Sequence, residues 1–377
     1  MYRKISLLLF GLSLLPMGMA QRDSLHYLIT GTYTSGKSEG IYVYLFNSNS
    51  GTYKEVSHVK TSNPSFVAIS ADEKFVYAVN ENGNKDNGGE VSSFAFDKST
   101  GVLTAINKQY TVGDAPCYID LDKTGRWLFV ANYSSGTLSV LPVDASGNIG
   151  EATTTIKHEG SGVNKSRQEK PHVHCTYISS DNKWLFVPDL GIDKVMVYAF
   201  DAANGSLTPG EQPFIKINDG GGPRHITFHP NNKYAYIIEE MGGAVNAYDY
   251  AGGKFKAIQH IKSVQKTDTG FVGSADIHVS DDGKFLYASN RGGFNTIALY
   301  KINQQNGRLT LIGHQKALGD FPRNFTIDPS GNFLLVANQK SDDVVIFKRN
   351  IKTGLLTSTG KRISVGNPVC LKWISVK

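Results

Sequence analysis

Cysteine is scarce. The 377 residues hold three, Cys117, Cys175 and Cys370. An odd count excludes full intramolecular pairing, and all three are read as small core residues on innermost strands. No run of five basic residues occurs. The net charge of +6 falls to +4 once Arg3 and Lys4 are set aside, so neither nucleic-acid nor membrane binding is indicated. Heptads and long amphipathic helices are missing, which argues against coiled coils and bundles and leaves the oligomeric state open. Gly-x-Ser-x-Gly elbows, phosphate loops and Cys-x-x-Cys pairs are also absent.

An apolar run, Ile5 to Leu15, follows Arg3 and Lys4, and Gly18-Met19-Ala20 ends in a small residue. Residues 1–20 therefore read as a secretory signal peptide cleaved after Ala20. The apolar core is too short for a membrane span. No Cys follows the cleavage site, so a lipoprotein anchor is not indicated. The mature chain, 21–377, is expected to be exported, to the periplasm, without membrane attachment.

What the sequence has in quantity is glycine (39), tyrosine (18) and phenylalanine (19), as befits a turn-rich all-β protein. It also repeats. Segments at Tyr27–Thr32, Phe75–Asn80, Trp127–Asn132, Trp184–Asp189, Tyr234–Glu239, Phe285–Asn290 and Phe333–Asn338 are alike. Their spacing of roughly fifty residues is that of propeller blades. Preceding strands start at Pro64, Pro116, Val173, Pro223, Ser274, Pro322 and Pro368. The chain begins with a second strand that lacks a first, and ends with a first that lacks a second. Pairing the two closes a ring and removes the open edge. The expected fold is one all-β domain, a seven-bladed β-propeller with four-stranded blades.

In that fold the start of each innermost strand and the end of each second strand meet at one mouth of the channel. The second residue of each innermost strand is Ser65, Cys117, His174, Arg224, Ala275, Arg323 or Val369. The residue after each second strand is Glu81, Tyr133, Leu190, Glu240, Arg291, Gln339 or Tyr33. Three arginines at one mouth point to a small anionic ligand. Arg224 and Glu240 share a blade, so a purely structural cross-strand ion pair is an open alternative. In His172-x-His174 one ring faces the mouth and the other does not. No third ligand has suitable spacing, so no metal is expected. His229 and His278 read as structural. Two long connections, Lys157 to Lys170 and Lys262 to Gly273, could cover the mouth or merely decorate the surface.

Several stretches resemble the seven-bladed propeller lactonase family. They are Val130-Ala131-Asn132-Tyr133, Pro171-His172-Val173-His174, Val187-Pro188-Asp189-Leu190-Gly191, Gly222-Pro223-Arg224-His225, Ser289-Asn290-Arg291-Gly292 and Pro322-Arg323-Asn324-Phe325. The family includes bacterial 6-phosphogluconolactonase and fungal carboxy-cis,cis-muconate cyclase. The resemblance implies a cofactor-free, metal-independent lactonase acting on a sugar-acid lactone, with catalytic His174 (or His172), Arg224, Glu240 and Arg291. Glu240 or His174 would be the base, and the arginines would hold an oxyanion or a substrate anion. Arg323, His172, Glu81, Tyr133, Asn132 and Gln339 would bind substrate. Glu239-Glu240-Met241 and Arg291-Gly292-Gly293-Phe294 depart from the family pattern, which bears on the choice of substrate. An exported binding or scaffold propeller and a muconate-type cycloisomerase are the alternatives.

Overall fold

The computed structural model describes residues 24–83, 88–265 and 271–376. The expected signal peptide, residues 1–20, lies outside them, as do residues 266–270 of the second long connection. The described chain forms seven four-stranded antiparallel sheets. Blade 1 joins the termini: Pro368–Ser375 lies innermost, followed outward by Leu25–Thr32, Gly40–Asn47 and Thr52–Lys60. Its two chain ends pair from His26 opposite Ser375 to Thr32 opposite Pro368. The ring is thereby closed without a free inner edge.

Blades 2 to 7 follow in chain order. Their innermost strands are Val67–Ile69, Pro116–Leu121, Tyr177–Ile178, Pro223–Phe228, Val272–Val279 and Pro322–Ile327. Their second strands are Phe75–Asn80, Trp127–Asn132, Trp184–Asp189, Tyr234–Glu239, Phe285–Gly292 and Phe333–Asn338. These second strands carry the cores between blades. Leu128, Phe129, Val130 and Ala131, for example, are fully buried.

The repeated aromatic at the start of each second strand has a partner. In the outermost turn of the next blade, a left-handed glycine lies flat against its ring. Gly205 (φ 75°) would place a Cβ 2.5 Å from the Trp127 ring, and Gly307 (φ 66°) would place one 2.4 Å from Tyr234. The same pairing recurs around the ring, as Gly51 on Phe333, Gly101 on Tyr27, Gly147 on Phe75, Gly253 on Trp184 and Gly354 on Phe285. Only glycine offers both the backbone conformation and the missing side chain.

At the other end of the blades the innermost strands are bulged. The register shifts between Pro116 and Tyr118, Pro223 and His225, Pro322 and Asn324, and opposite Gly31 and Thr32. The residues passed over are Cys117, Arg224, Arg323 and Val369. A bulge leaves its extra residue out of the ladder and re-aims its side chain. Most of the second residues read from the sequence are thus bulge residues; Ser65 and His174 are not.

Two innermost strands start later than predicted. In blade 4, Val173 makes only an isolated bridge to Asp189, and the strand proper is Tyr177–Ile178. The His174 N–H reaches the Pro188 carbonyl at 3.0 Å, but Pro188 has no N–H to return the bond, so the ladder breaks. In blade 2, Asn63 is left-handed and the Ser65 N–H turns back onto its carbonyl at 2.7 Å. That tight turn delays the strand to Val67.

Candidate active site

The bulged mouth opens into a cavity of about 440 Å³. Its walls include His174 from the segment before the innermost strand of blade 4, Cys117 from the innermost strand of blade 3, and Tyr133, Glu240 and Arg291 from the ends of second strands. Opposite these stand Arg323, Gln339, Tyr33 and Glu81.

Glu240 is the hub. Its Oε2 accepts from Arg224 Nε at 2.9 Å and lies 2.9 Å from an Arg291 terminal nitrogen; its Oε1 accepts from Arg167 at 2.6 Å. Burial alone would raise the carboxyl pKa, but Arg291, Arg224 and Arg167 outweigh it and lower it to about 2. A carboxylate so held is a weak base. His174 is a different kind of group. Burial, reinforced by Arg224, His225, Arg323 and Arg291, holds its pKa well below 6.5, so the ring is neutral near pH 7. Arg291 is fixed by its Nε bond to the Gly273 carbonyl at 2.7 Å. Burial and neighbouring cations lower its pKa to about 9 despite Glu240.

Arg224 is not at the mouth as its spacing implied. It is 2% exposed and lies beneath the cavity. Its terminal nitrogen donates to the Ala275 carbonyl at 2.5 Å and to His225 Nε2 at 3.1 Å. Because a guanidinium only donates, His225 must carry its proton on Nδ1, which bonds Asp276 Oδ1 at 2.8 Å. Asp276 also binds His278 at 2.9 Å and Asn324 at 2.5 Å. His278 is therefore structural, as expected. So is His229, which bonds the Gly283 carbonyl in a turn.

Two predicted substrate-binding residues also miss the cavity. His172 stacks behind Tyr133 with ring centroids 4.5 Å apart. Its nitrogens are taken by the Tyr133 carbonyl and Glu169, both at 3.1 Å. Asn132 points between strands and donates to Thr137 and Ser139. It belongs to a repeated clasp: Asn80 donates to Thr61, Asn338 to Asp343, and Glu239 accepts from Asn246. The last residue of a second strand ties its blade together, and the residue after it faces the mouth. Glu239, one of the departures from the family pattern, is thus a clasp residue. Phe294, in the other departure, is 3% exposed and packs inward.

Arg167, Phe271, Phe321 and Lys340 line the cavity without having been singled out from the sequence, and of these Arg167 binds the hub. Gln168 anchors its loop, donating to the Leu190 carbonyl at 2.9 Å and to Asp193 at 2.7 Å. That anchor swings Arg167 over the mouth, where it also donates to the Tyr133 hydroxyl at 3.3 Å. The length of the 157–170 connection was its one signal. From the second long connection, Phe271 reaches the cavity wall. Cys117, Cys175 and Cys370 are all buried and free, as core residues; Cys117, packed with Phe129 and Ala131, also reaches the cavity wall.

A mouth built of a propeller's bulges, with one carboxylate gripping three guanidiniums, can now be compared with known proteins. The family described as "Lactonase, 7-bladed beta-propeller" matches residues 27–373. The chain belongs to that family. Relatives named 6-phosphogluconolactonase are lactone-opening carboxylic ester hydrolases, and this chain is an enzyme of that class. A 6-phosphogluconolactonase of Formosa agariphila is 39% identical across 92% of this chain and 98% of that protein. A 6-phosphogluconolactonase of Bacillus subtilis is 35% identical across 91% and 97%. The solved structure of the Pseudomonas aeruginosa periplasmic gluconolactonase PpgL is 35% identical with a TM-score of 0.90, covering 94% of this chain and 100% of that one.

Proposed function

We propose that this lactonase hydrolyses a sugar-acid lactone of the 6-phosphogluconolactone type, without a metal, at the arginine-lined mouth. The observation that carries the reading is the Glu240 hub, which holds Arg167 and Arg291 beside the neutral His174 imidazole in one cavity, with Arg224 beneath. Water adds to the lactone carbonyl while His174 takes its proton. Arg291 and Arg167 stabilise the oxyanion that develops. Collapse of that intermediate breaks the ring C–O bond, and the proton on His174 passes to the leaving alkoxide. The product is the open hydroxy acid. Glu240 positions the guanidiniums and is not the base, and Arg224 supports it from below. Arg323, Glu81, Tyr133 and Gln339 contact the sugar.

Two observations support export: the leader-like pattern of residues 1–20 and the periplasmic name of the Pseudomonas aeruginosa relative. Among the described residues, no helix is long and apolar enough to cross a membrane.

Acid release from 6-phosphogluconolactone and glucono-δ-lactone, corrected for spontaneous opening, tests the proposal. Purified protein should exceed the buffer rate, and His174→Gln should lower turnover by about a hundredfold or more. Rates equal to buffer for the wild-type protein across sugar lactones would leave only a binding propeller.

A further inference from the structure

The cavity has two unlike sides. On the arc from blade 3 to blade 6 the guanidiniums of Arg167, Arg224 and Arg291 are spent on Glu240. On the arc from blade 7 through blade 1 to blade 2 the cation has no direct partner, although the Glu81 and Glu240 charges act on it through space. Arg323 lines the cavity, and among the described residues no hydrogen bond or ion pair reaches its guanidinium. Its neighbour is the Tyr33 ring, 5.3 Å away. Glu81, on the same arc, accepts the Tyr33 hydroxyl at 2.7 Å.

Two further features mark this side as built. Gln339 Oε1 is buried and accepts no hydrogen bond among the described residues. Phe321 holds a left-handed backbone, φ 66°. The residue before the innermost strand is left-handed in several blades, as Ala115, Gly222 and Asn367. Those are residues that tolerate the conformation or carry little bulk. A phenylalanine there is strained, and such strain persists where the surroundings over-determine it. Here the Phe321 N–H bonds Asn295 at 2.9 Å and its carbonyl accepts from Gln339 at 3.0 Å. The strained backbone sets the ring 5.0 Å from the Arg291 guanidinium and 4.3 Å from Lys340 Nζ, and so brings Lys340 to the cavity wall.

We propose that Arg323, Lys340 and Gln339 form a subsite for an anionic tail on the substrate, a phosphate ester or a carboxylate remote from the lactone ring. The inference rests on the lactonase reading for the position of the ring. Arg323 gives the tail a bidentate fork, and Lys340 adds a second cation. Gln339 takes a neighbouring sugar hydroxyl on its empty acceptor. The subsite makes the enzyme select charged sugar lactones over neutral ones.

Open-chain acids test this without turnover. Titration calorimetry with 6-phosphogluconate, glucarate and gluconate should show at least one of the two tailed acids binding roughly tenfold or more tighter than gluconate. Arg323→Gln should weaken that acid at least about tenfold more than it weakens gluconate. Lys340→Gln, at an exposed residue, should show a smaller change in the same direction, and it serves if Arg323→Gln fails to fold. A preference for 6-phosphogluconate assigns a phosphate tail, and one for glucarate a carboxylate. Equal weakening of all three acids, or wild-type binding that ignores the tail, overturns the subsite. If no lactone is opened yet the Arg323-dependent preference persists, the hydrolytic reading fails and the subsite stands.

Discussion

The two ends of the propeller obey different rules. At the closed end, glycine meets aromatic seven times with almost no variation, from Gly101 on Tyr27 to Gly51 on Phe333. At the open end, equivalent bulge positions carry Cys117, Arg224, Arg323 and Val369, no two alike except the arginines. Both ends use the same backbone repeat. The closed end uses it to hold the ring, so each blade needs the same pair. The open end uses it as a set of addresses, so each blade can offer a different group to one cavity. Stability and chemistry are thereby separated along the length of a strand.

Substitutions at the two ends should separate the same way. The largest effect is expected at the hub. Glu240→Gln removes the carboxylate that gathers three guanidiniums, two of them buried. Turnover should fall by about a hundredfold or more, and leaving buried charges unpaired should cost about 3–5 kcal/mol. The pH–rate profile should keep its shape, because the titrating base is His174. An acid limb that vanishes with Glu240 would make Glu240 the base after all. Gly307→Val at the closed end forces a branched side chain into a left-handed turn against Tyr234. It should lower the melting temperature, at a cost of roughly 1–3 kcal/mol, while the folded fraction keeps wild-type kcat/KM. A Gly307→Val protein that is stable but slow would erase the distinction between the ends.

How much of this could be read in the sequence follows from the same contrast. The blades, their closure and the mouth positions all come from spacing, because a bulge recurs at a fixed place after most strand starts. Depth does not come from spacing. Arg224 and Arg323 occupy equivalent addresses, yet Arg224 folds down onto the Ala275 carbonyl and His225, while Arg323 stays in the cavity. The partners decide, and partners come from other blades. Asn132 was misread because it ends a strand beside Tyr133. Period two sends those neighbours to different places, and the clasp took Asn132. Arg167 has no repeat address at all. It arrives by a loop whose anchor, Gln168, grips Leu190 and Asp193 more than twenty residues away in sequence.

The open end should also be the acid-sensitive end. His225 beneath the mouth has its pKa lowered to about 4, by burial first and Arg224 second. An unfolded histidine titrates near 6.5. Between those values the unfolded chain binds a proton that the folded chain refuses, so stability falls as pH drops from about 6.5 to about 4. His174 acts with the same sign. Glu240 adds a second loss below its unfolded value of about 4.3, complete near its folded value of about 2. Melting temperature should therefore decline steadily below pH 6.5, with a further fall in strong acid. A flat profile from pH 7 to 4.5 would mean that the buried histidines are not neutral.

The smallest effect is expected from chelation. A divalent cation at the open end would need several free oxygen or nitrogen donors together, and most of the carboxylate and imidazole donors there are engaged. Both Glu240 oxygens face guanidiniums. Both His172 nitrogens and both His225 nitrogens have partners. Among the described residues, no group of three His, Cys, Asp or Glu side chains is placed to hold a metal. The surrounding arginines would also repel a cation, while they can themselves supply the positive charge that a metal would bring to an oxyanion. EDTA should therefore change kcat/KM by less than about twofold. A loss of about tenfold or more that added Mg²⁺, Mn²⁺ or Zn²⁺ restores would show that the arginines do not carry that charge alone.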